Sequence, residues 1–156
     1  MKDDTPFGVV LIKEGAEAGA ASTHETGTLA RVSDFYQGSD GLLGITAVGE
    51  QRFRIQSATR QTDGLNIAEV ERIPAELAMP LPQEFSAMSN MLSNVLDDLG
   101  RLYESLHRQL DDAVWVSYRL MEILPVALDT KQSSLESSDT LDRLRLIDEV
   151  LKAAGT

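Results

Sequence analysis

The sequence predicts an α+β fold, a run of strands followed by a run of helices. Three observations predict it. Residues 7 to 73 carry apolar side chains at short range with glycines at the breaks, from Pro74 onward the apolar residues recur every three or four positions, and Ala78-Met-Pro-Leu-Pro82 divides the two patterns. Prolines remove ladder donors and restrict the residue before them, so that stretch closes the strand region. The chain is read as a β subdomain over residues 1–73 and an α-helical subdomain over residues 74–156.

Taken in order, Phe7 to Ile12 is a continuous apolar run, the pattern of a strand buried on both faces. Glu14 to Thr26, with its glycines and its Ala, Ser and Thr cluster, reads as a mobile loop. Leu29 to Val32 resumes the strand pattern. Phe35 and Tyr36 then stand in a loop before Gly38, and Ser39-Asp40-Gly41 supplies a tight reversal. Leu43, Ile45 and Ala47 share one face. Gly49 and Glu50 turn the chain, after which Phe53 and Ile55 point one way and Arg52, Arg54 and Gln56 the other. Asp63-Gly64 marks a further hairpin turn, and Leu65 to Ile73 completes the sheet.

In the second half, Phe85, Met88, Leu92, Val95, Leu99, Leu102 and Leu106 follow helical spacing, which predicts one helix of about 24 residues, near 36 Å long. Asp111 or Asp112 caps a second helix carrying Trp115, Tyr118 and Met121, and Pro125 ends it. Asp129 or Thr130 opens a short third helix. Ser138 or Asp139 opens the last, with Leu141, Leu144, Ile147 and Leu151 inward and Gly155 just past its end.

The 156 residues suffice for one domain or two small subdomains, and 42% hydrophobic with 25% charged residues is the composition of an ordinary globular chain. With no cysteine, there is neither a disulfide framework nor a thiol nucleophile. No apolar run has the length of a membrane span, and no basic-then-hydrophobic signal opens the chain, so the expected setting is cytoplasmic. The net charge of −11 divides as −4 over residues 1 to 73 and −7 over residues 74 to 156. Acidity in both halves disfavours nucleic acid, whose binding draws on Lys and Arg contacts to phosphate.

Residue patterns for chemistry are sparse. No Gly-x-x-x-x-Gly-Lys-Ser/Thr occurs, and Gly38-Ser-Asp-Gly41 lacks the lysine that a phosphate cradle needs. Lys131 lies near Ser133 and Ser134, yet an exposed helix start is a poor place for a desolvated lysine base. His24 and His107 stand apart, with no zinc-ligand spacing around them. Asp97-Asp98 and Asp111-Asp112 lack the further converging oxygens of a hard-cation site. Arg52 and Arg54 could clamp an anion, but such residues more often pair with cross-strand acids, here Glu69 and Glu71. Neither a cofactor nor a metal is expected, and the chain reads as non-catalytic.

Several segments together resemble one family. Phe7-Gly-Val-Val-Leu11, Gly27-Thr-Leu-Ala-Arg-Val32, Asp40-Gly-Leu-Leu-Gly-Ile-Thr-Ala-Val-Gly49, Arg52-Phe-Arg-Ile55 and Ala68-Glu-Val-Glu71 are similar to strands of the Lon protease N-terminal domain. Leu124-Pro-Val-Ala-Leu-Asp-Thr-Lys-Gln-Ser-Ser-Leu-Glu136 followed by Arg143-Leu144 is similar to its helical segment. The resemblance implies a small PUA-like β-barrel-type subdomain, then a helical bundle entered by one long helix, and a protein-binding role without the ATPase and protease modules. The family usually opens with an additional Pro-Leu-Phe-Pro strand. This chain begins at the next one, which would leave an unpaired edge and predicts homodimer formation through it.

The partners implied are unfolded or peptide segments of other proteins, and a protease with which a substrate-recruiting factor would cooperate. The alternative implied by PUA-like topology is RNA binding. Phe35, Tyr36, Leu42, Leu43, Phe85 and Met88 are the candidate protein contacts, because aromatic, Leu and Met side chains suit adaptable apolar surfaces.

Overall fold

The computed structural model describes residues 5–14, 22–104 and 106–155, which fall into two compact units, Met1–Ala75 and Glu76–Thr156. In the first unit, β1 (Phe7–Glu14), β2 (Ser22–Gln37), β3 (Leu43–Arg60) and β4 (Asn66–Arg72) form an antiparallel meander in the order β1-β2-β3-β4. In the second, a 3-10 turn (Gln83–Phe85) leads into α1 (Ser86–Leu99), and then come α2 (Ala113–Ile123), α3 (Leu128–Glu136) and α4 (Thr140–Ala153). The fold is α+β. Among the described residues the sheet stays open, with β1 and β4 at its edges, and does not close into a barrel.

The strands are longer than their local patterns suggest. Ser22 to Thr26, expected in a loop, pair within β2, while residues 15–21 of that expected loop lie outside the described residues. Gly49 and Glu50 do not turn the chain. They lie in β3, where the pairing steps from Thr28↔Arg52 to Ala30↔Gly49 and leaves an extra β3 residue as a bulge. β1 is an edge strand with Val9 53% exposed, so its apolar run does not mean burial on both faces. Arg52 is buried instead of pointing outward, whereas Arg54 pairs with Glu71 at 3.5 Å.

The packing of this unit centres on Phe53. Its ring lies across the backbones of Gly27 and Gly8, close enough that a Cβ at Gly27 would meet the Val9 carbonyl oxygen and come 2.8 Å from Phe53 Cζ. Two of its strand connections share one construction. Gly38-Ser-Asp-Gly-Leu42 and Gln61-Thr-Asp-Gly-Leu65 are each closed by a backbone bond from the first residue to the carbonyl of the fifth, 2.8 Å in both. In each, the aspartate Oδ1 accepts from the leucine N–H at 3.0 Å, and the glycine takes φ of +83° or +89°.

The helical unit has the larger core. Phe85, Met88, Leu92 and Leu96 pack with Ala113, Val116, Leu120 and Met121 and with Leu144 and Ile147 from α4. Each such side chain contributes about 1.5–3 kcal/mol of burial, and truncating the fully enclosed Leu92 to Ala would cost about 2–5 kcal/mol. Asp112 caps α2 by accepting from Val114 N–H, and Asp139 caps α4 by accepting from Asp142 N–H. Leu124, placed before Pro125, leaves the helical region and stops α2.

The single long helix is not formed. α1 ends at Leu99 because Gly100 takes φ 57°, ψ −118°, and a short 3-10 stretch, Gly100–Tyr103, follows. Leu99 and Leu102, expected inward, are exposed there.

Candidate functional site

β2 and β3 run past their neighbours and present the Gly38–Leu42 turn at their tip. Phe35 and Tyr36, expected in a loop, are the last residues but one of β2. Phe35 stands opposite Ile45, Tyr36 opposite Gly44, and Gln37 opposite Leu43. Side chains alternate along each strand, so Phe35, Leu43 and Ile45 share one face and the Tyr36 ring lies on the other, against the bare Gly44 backbone. Exposure is 49% at Phe35, 50% at Tyr36, 69% at Leu42, 70% at Leu43 and 45% at Ile45. Phe35, Leu43 and Ile45 are thus exposed together on one face of the tip, Leu42 is exposed in the turn, and Tyr36 is exposed on the opposite face. Exposed apolar groupings of this kind are the sort that mark an interaction surface.

The tip is also acidic. From Val32 to Gln51 the chain holds Asp34, Asp40 and Glu50 and no Lys or Arg. Asp34 Oδ1 accepts from Phe35 N–H at 2.9 Å and Asp40 Oδ1 from Leu42 N–H at 3.0 Å, so each carboxylate is locally oriented.

Phe85 and Met88 belong elsewhere. They are 7% and 4% exposed within the helical core, so they pack α1 and do not offer a contact surface. Their spacing marked the apolar stripe of a helix, and the first two members of such a stripe are core residues when the helix is covered. Ile45 was the member of the patch that the sequence reading left out. Its place opposite Phe35 depends on strand register, which no local pattern specifies.

A second, polar constellation lies within the helical unit. Arg143 has a fully buried side chain and donates to Glu76 Oε1 at 2.6 Å, to Ser117 Oγ at 2.9 Å and to the Ser137 carbonyl at 3.3 Å. Thr140 Oγ1 donates to Glu76 Oε1 at 2.6 Å, Tyr118 OH donates to Glu76 Oε2, and the guanidinium lies 3.7 Å from the Tyr118 ring centroid. Burial pushes the Glu76 carboxyl up, but the hydrogen bonds from Arg143, Thr140 and Tyr118 outweigh it and hold the carboxyl below its ordinary range. This is a satisfied structural network. The available clue was Arg143 lying three residues after Thr140 and four before Ile147, on the buried side of α4.

Among the described residues, the Lys131 and Asp97 side chains singled out in the sequence are engaged in other contacts. Lys131 Nζ donates to the Glu122 carbonyl at 2.7 Å, and Asp97 pairs with Arg108 at 2.9 Å. Among the described residues no three His, Cys, Asp or Glu side chains are grouped to hold a metal ion, and no helix is long and apolar enough to cross a membrane. What the arrangement offers is an exposed apolar surface at the hairpin tip.

A model of the family described as the ATP-dependent protease La (LON) substrate-binding domain matches residues 1–153. Among solved structures, the chain is similar to a Lon N-terminal domain protein from Xanthomonas campestris, with 30% identity and a TM-score of 0.69 over 92% of this chain and 74% of that one. It also shares the fold of the N-terminal domain of the Mycobacterium avium complex Lon protease, with 16% identity and a TM-score of 0.53 over 94% of this chain and 89% of that one. No curated protein matches.

Proposed function

The chain belongs to the Lon substrate-binding domain family, and from that premise we propose that it recognises polypeptide segments of other proteins through the tip of the β2–β3 hairpin. The observation that carries the reading is the apolar exposure of the tip, Phe35, Leu43 and Ile45 on one face with Leu42 in the turn and Tyr36 on the other face. Desolvating such side chains against an apolar segment is the ordinary source of contact energy, and aromatic residues tend to dominate it. Recognition is the whole of its role, without catalysis. The module serves as a substrate-recruiting factor or adaptor beside an ATP-dependent protease. A cysteine-free chain needs no oxidising compartment for its fold, and a cytoplasmic setting belongs to the same proposal. RNA is the poorer ligand, because the tip has two aspartates and no cation to meet phosphate.

The test exploits the two turns of like construction. A fluorescently labelled, permanently unfolded protein is titrated with wild type, with Phe35→Ala/Leu43→Ser, and with Leu65→Ser in the other turn. The tip variant is expected to bind at least about fivefold more weakly, a loss near 1 kcal/mol, and Leu65→Ser to match wild type. Equal affinity for all three, with unchanged circular dichroism, would remove the tip from the contact surface.

A further inference from the structure

The β2–β3 ribbon leaves a length of strand without a neighbour. β4 pairs with β3 no further than Phe53, and one more bond runs from Ile73 N–H to the Arg52 carbonyl at 2.9 Å. From Leu43 to Glu50, β3 has β2 on one side and, among the described residues, no backbone partner on the other. Alternate N–H and C=O groups of such a strand face away from its partner and are available for pairing. Edge strands are usually blunted by lysine, proline or a covering element. Leu43-Gly-Ile-Thr-Ala-Val-Gly-Glu50 contains neither lysine nor proline.

Charge says what would lie along this edge. Glu50 is paired with Arg31 at 3.3 Å, whereas Asp34 and Asp40 have no ion-pair partner among the described residues. A second copy of this chain would add the same unpaired carboxylates to the assembly and, from Val32 to Gln51, no cation to meet them. A segment with cationic side chains beside its apolar ones would neutralise them.

We infer that the free edge of β3, Leu43 to Glu50, takes up an extended polypeptide segment as an added strand, and that the segment it prefers carries Lys or Arg flanking apolar residues. The inference rests on the polypeptide-recognition reading and adds how the segment is held. Main-chain hydrogen bonds supply sequence-tolerant affinity, alternate side chains meet Leu43 and Ile45, and the cations meet Asp34 and Asp40.

Short acetylated peptides with Leu and Val alternating with Ser distinguish the parts. One form has Lys at both ends, one has Glu, and two Lys forms are N-methylated on either set of alternate backbone amides. Titrated into the full chain at low salt, the Lys form is expected to bind and to protect amides of Leu43–Glu50 from hydrogen exchange. One of the two N-methylated forms, and the Glu form, are expected to bind at least about tenfold more weakly. The Lys over Glu preference is expected to vanish in Asp34→Asn/Asp40→Asn, since asparagine keeps the acceptor oxygen that each aspartate offers to Phe35 or Leu42 N–H and loses the charge.

Full binding by both N-methylated forms, or protection elsewhere in the chain, overturns strand addition while leaving recognition standing. Equal binding of Lys and Glu forms overturns the charge preference. If the unmodified peptides all fail to bind, recognition itself falls. Sedimentation showing a dimer whose Leu43–Glu50 amides are protected without peptide would assign the edge to a second copy.

Discussion

At the scale of single residues, the Glu76–Arg143 pair decides most. A buried ion pair is a weak source of net stability, but removing one partner strands the other without solvent. Arg143→Met is expected to cost about 3–5 kcal/mol in urea denaturation, and adding Glu76→Leu to recover part of that loss, because the second change removes the stranded carboxylate. A double variant no more stable than Arg143→Met would show that the carboxylate is not the penalised group. The pH dependence follows from the depressed Glu76 carboxyl. Its contribution is complete above the ordinary carboxylate value of 4.5 and is lost as pH falls through the lower folded-state value. Wild type should therefore lose stability more steeply than Glu76→Gln on acidification from pH 4.5 downward, with the two curves converging at the acid end. Parallel curves would deny Glu76 the role.

At the scale of elements, the break after α1 is the place where sequence and structure part. Leu99, Leu102 and Leu106 keep helical spacing with the preceding apolar residues, and a periodicity argument runs straight through them. One glycine overrides it, since φ 57° with ψ −118° is closed to residues with a Cβ. Gly100→Ala is expected to lower stability by about 1–3 kcal/mol, read as a fall in Tm. A Tm at or above that of wild type would mean that the break is not required. The caps of α2 and α4, the proline stop before α3 and the two Asp-Gly turns were legible because their chemistry is local, whereas α3 opens at Leu128 without a side-chain cap, ahead of the expected Asp129 or Thr130. The length of β2 and β3, the bulge at Gly49–Arg52 and the exposure of Phe35 were not, because pairing partners distant in sequence set them. Phe85 and Met88 show the converse. Their spacing correctly marked an apolar helix face, and only packing reveals that the face is covered.

At the scale of the whole molecule, apolar burial is uneven. The buried apolar residues of the sheet unit are Ala30, Phe53 and Ile73 among the described residues, against ten in the helical unit. Burial dominates stability, so the two units should not share one transition. Hydrogen exchange is expected to open β1–β4 at lower free energy than α1, α2 and α4, and a fragment of residues 76–156 is expected to keep its helical circular dichroism. A single coincident transition for both units would contradict this. The α+β class was legible from a change of period at Pro74, and the difference in core size was not, because alternation counts apolar residues without saying which are covered. Trp115 is the chain's one tryptophan, and it lies on α2 with the Arg119 guanidinium 5.4 Å from its ring centroid. Its fluorescence is thus a built-in optical reporter of the packing around α2, inside the unit with the larger core.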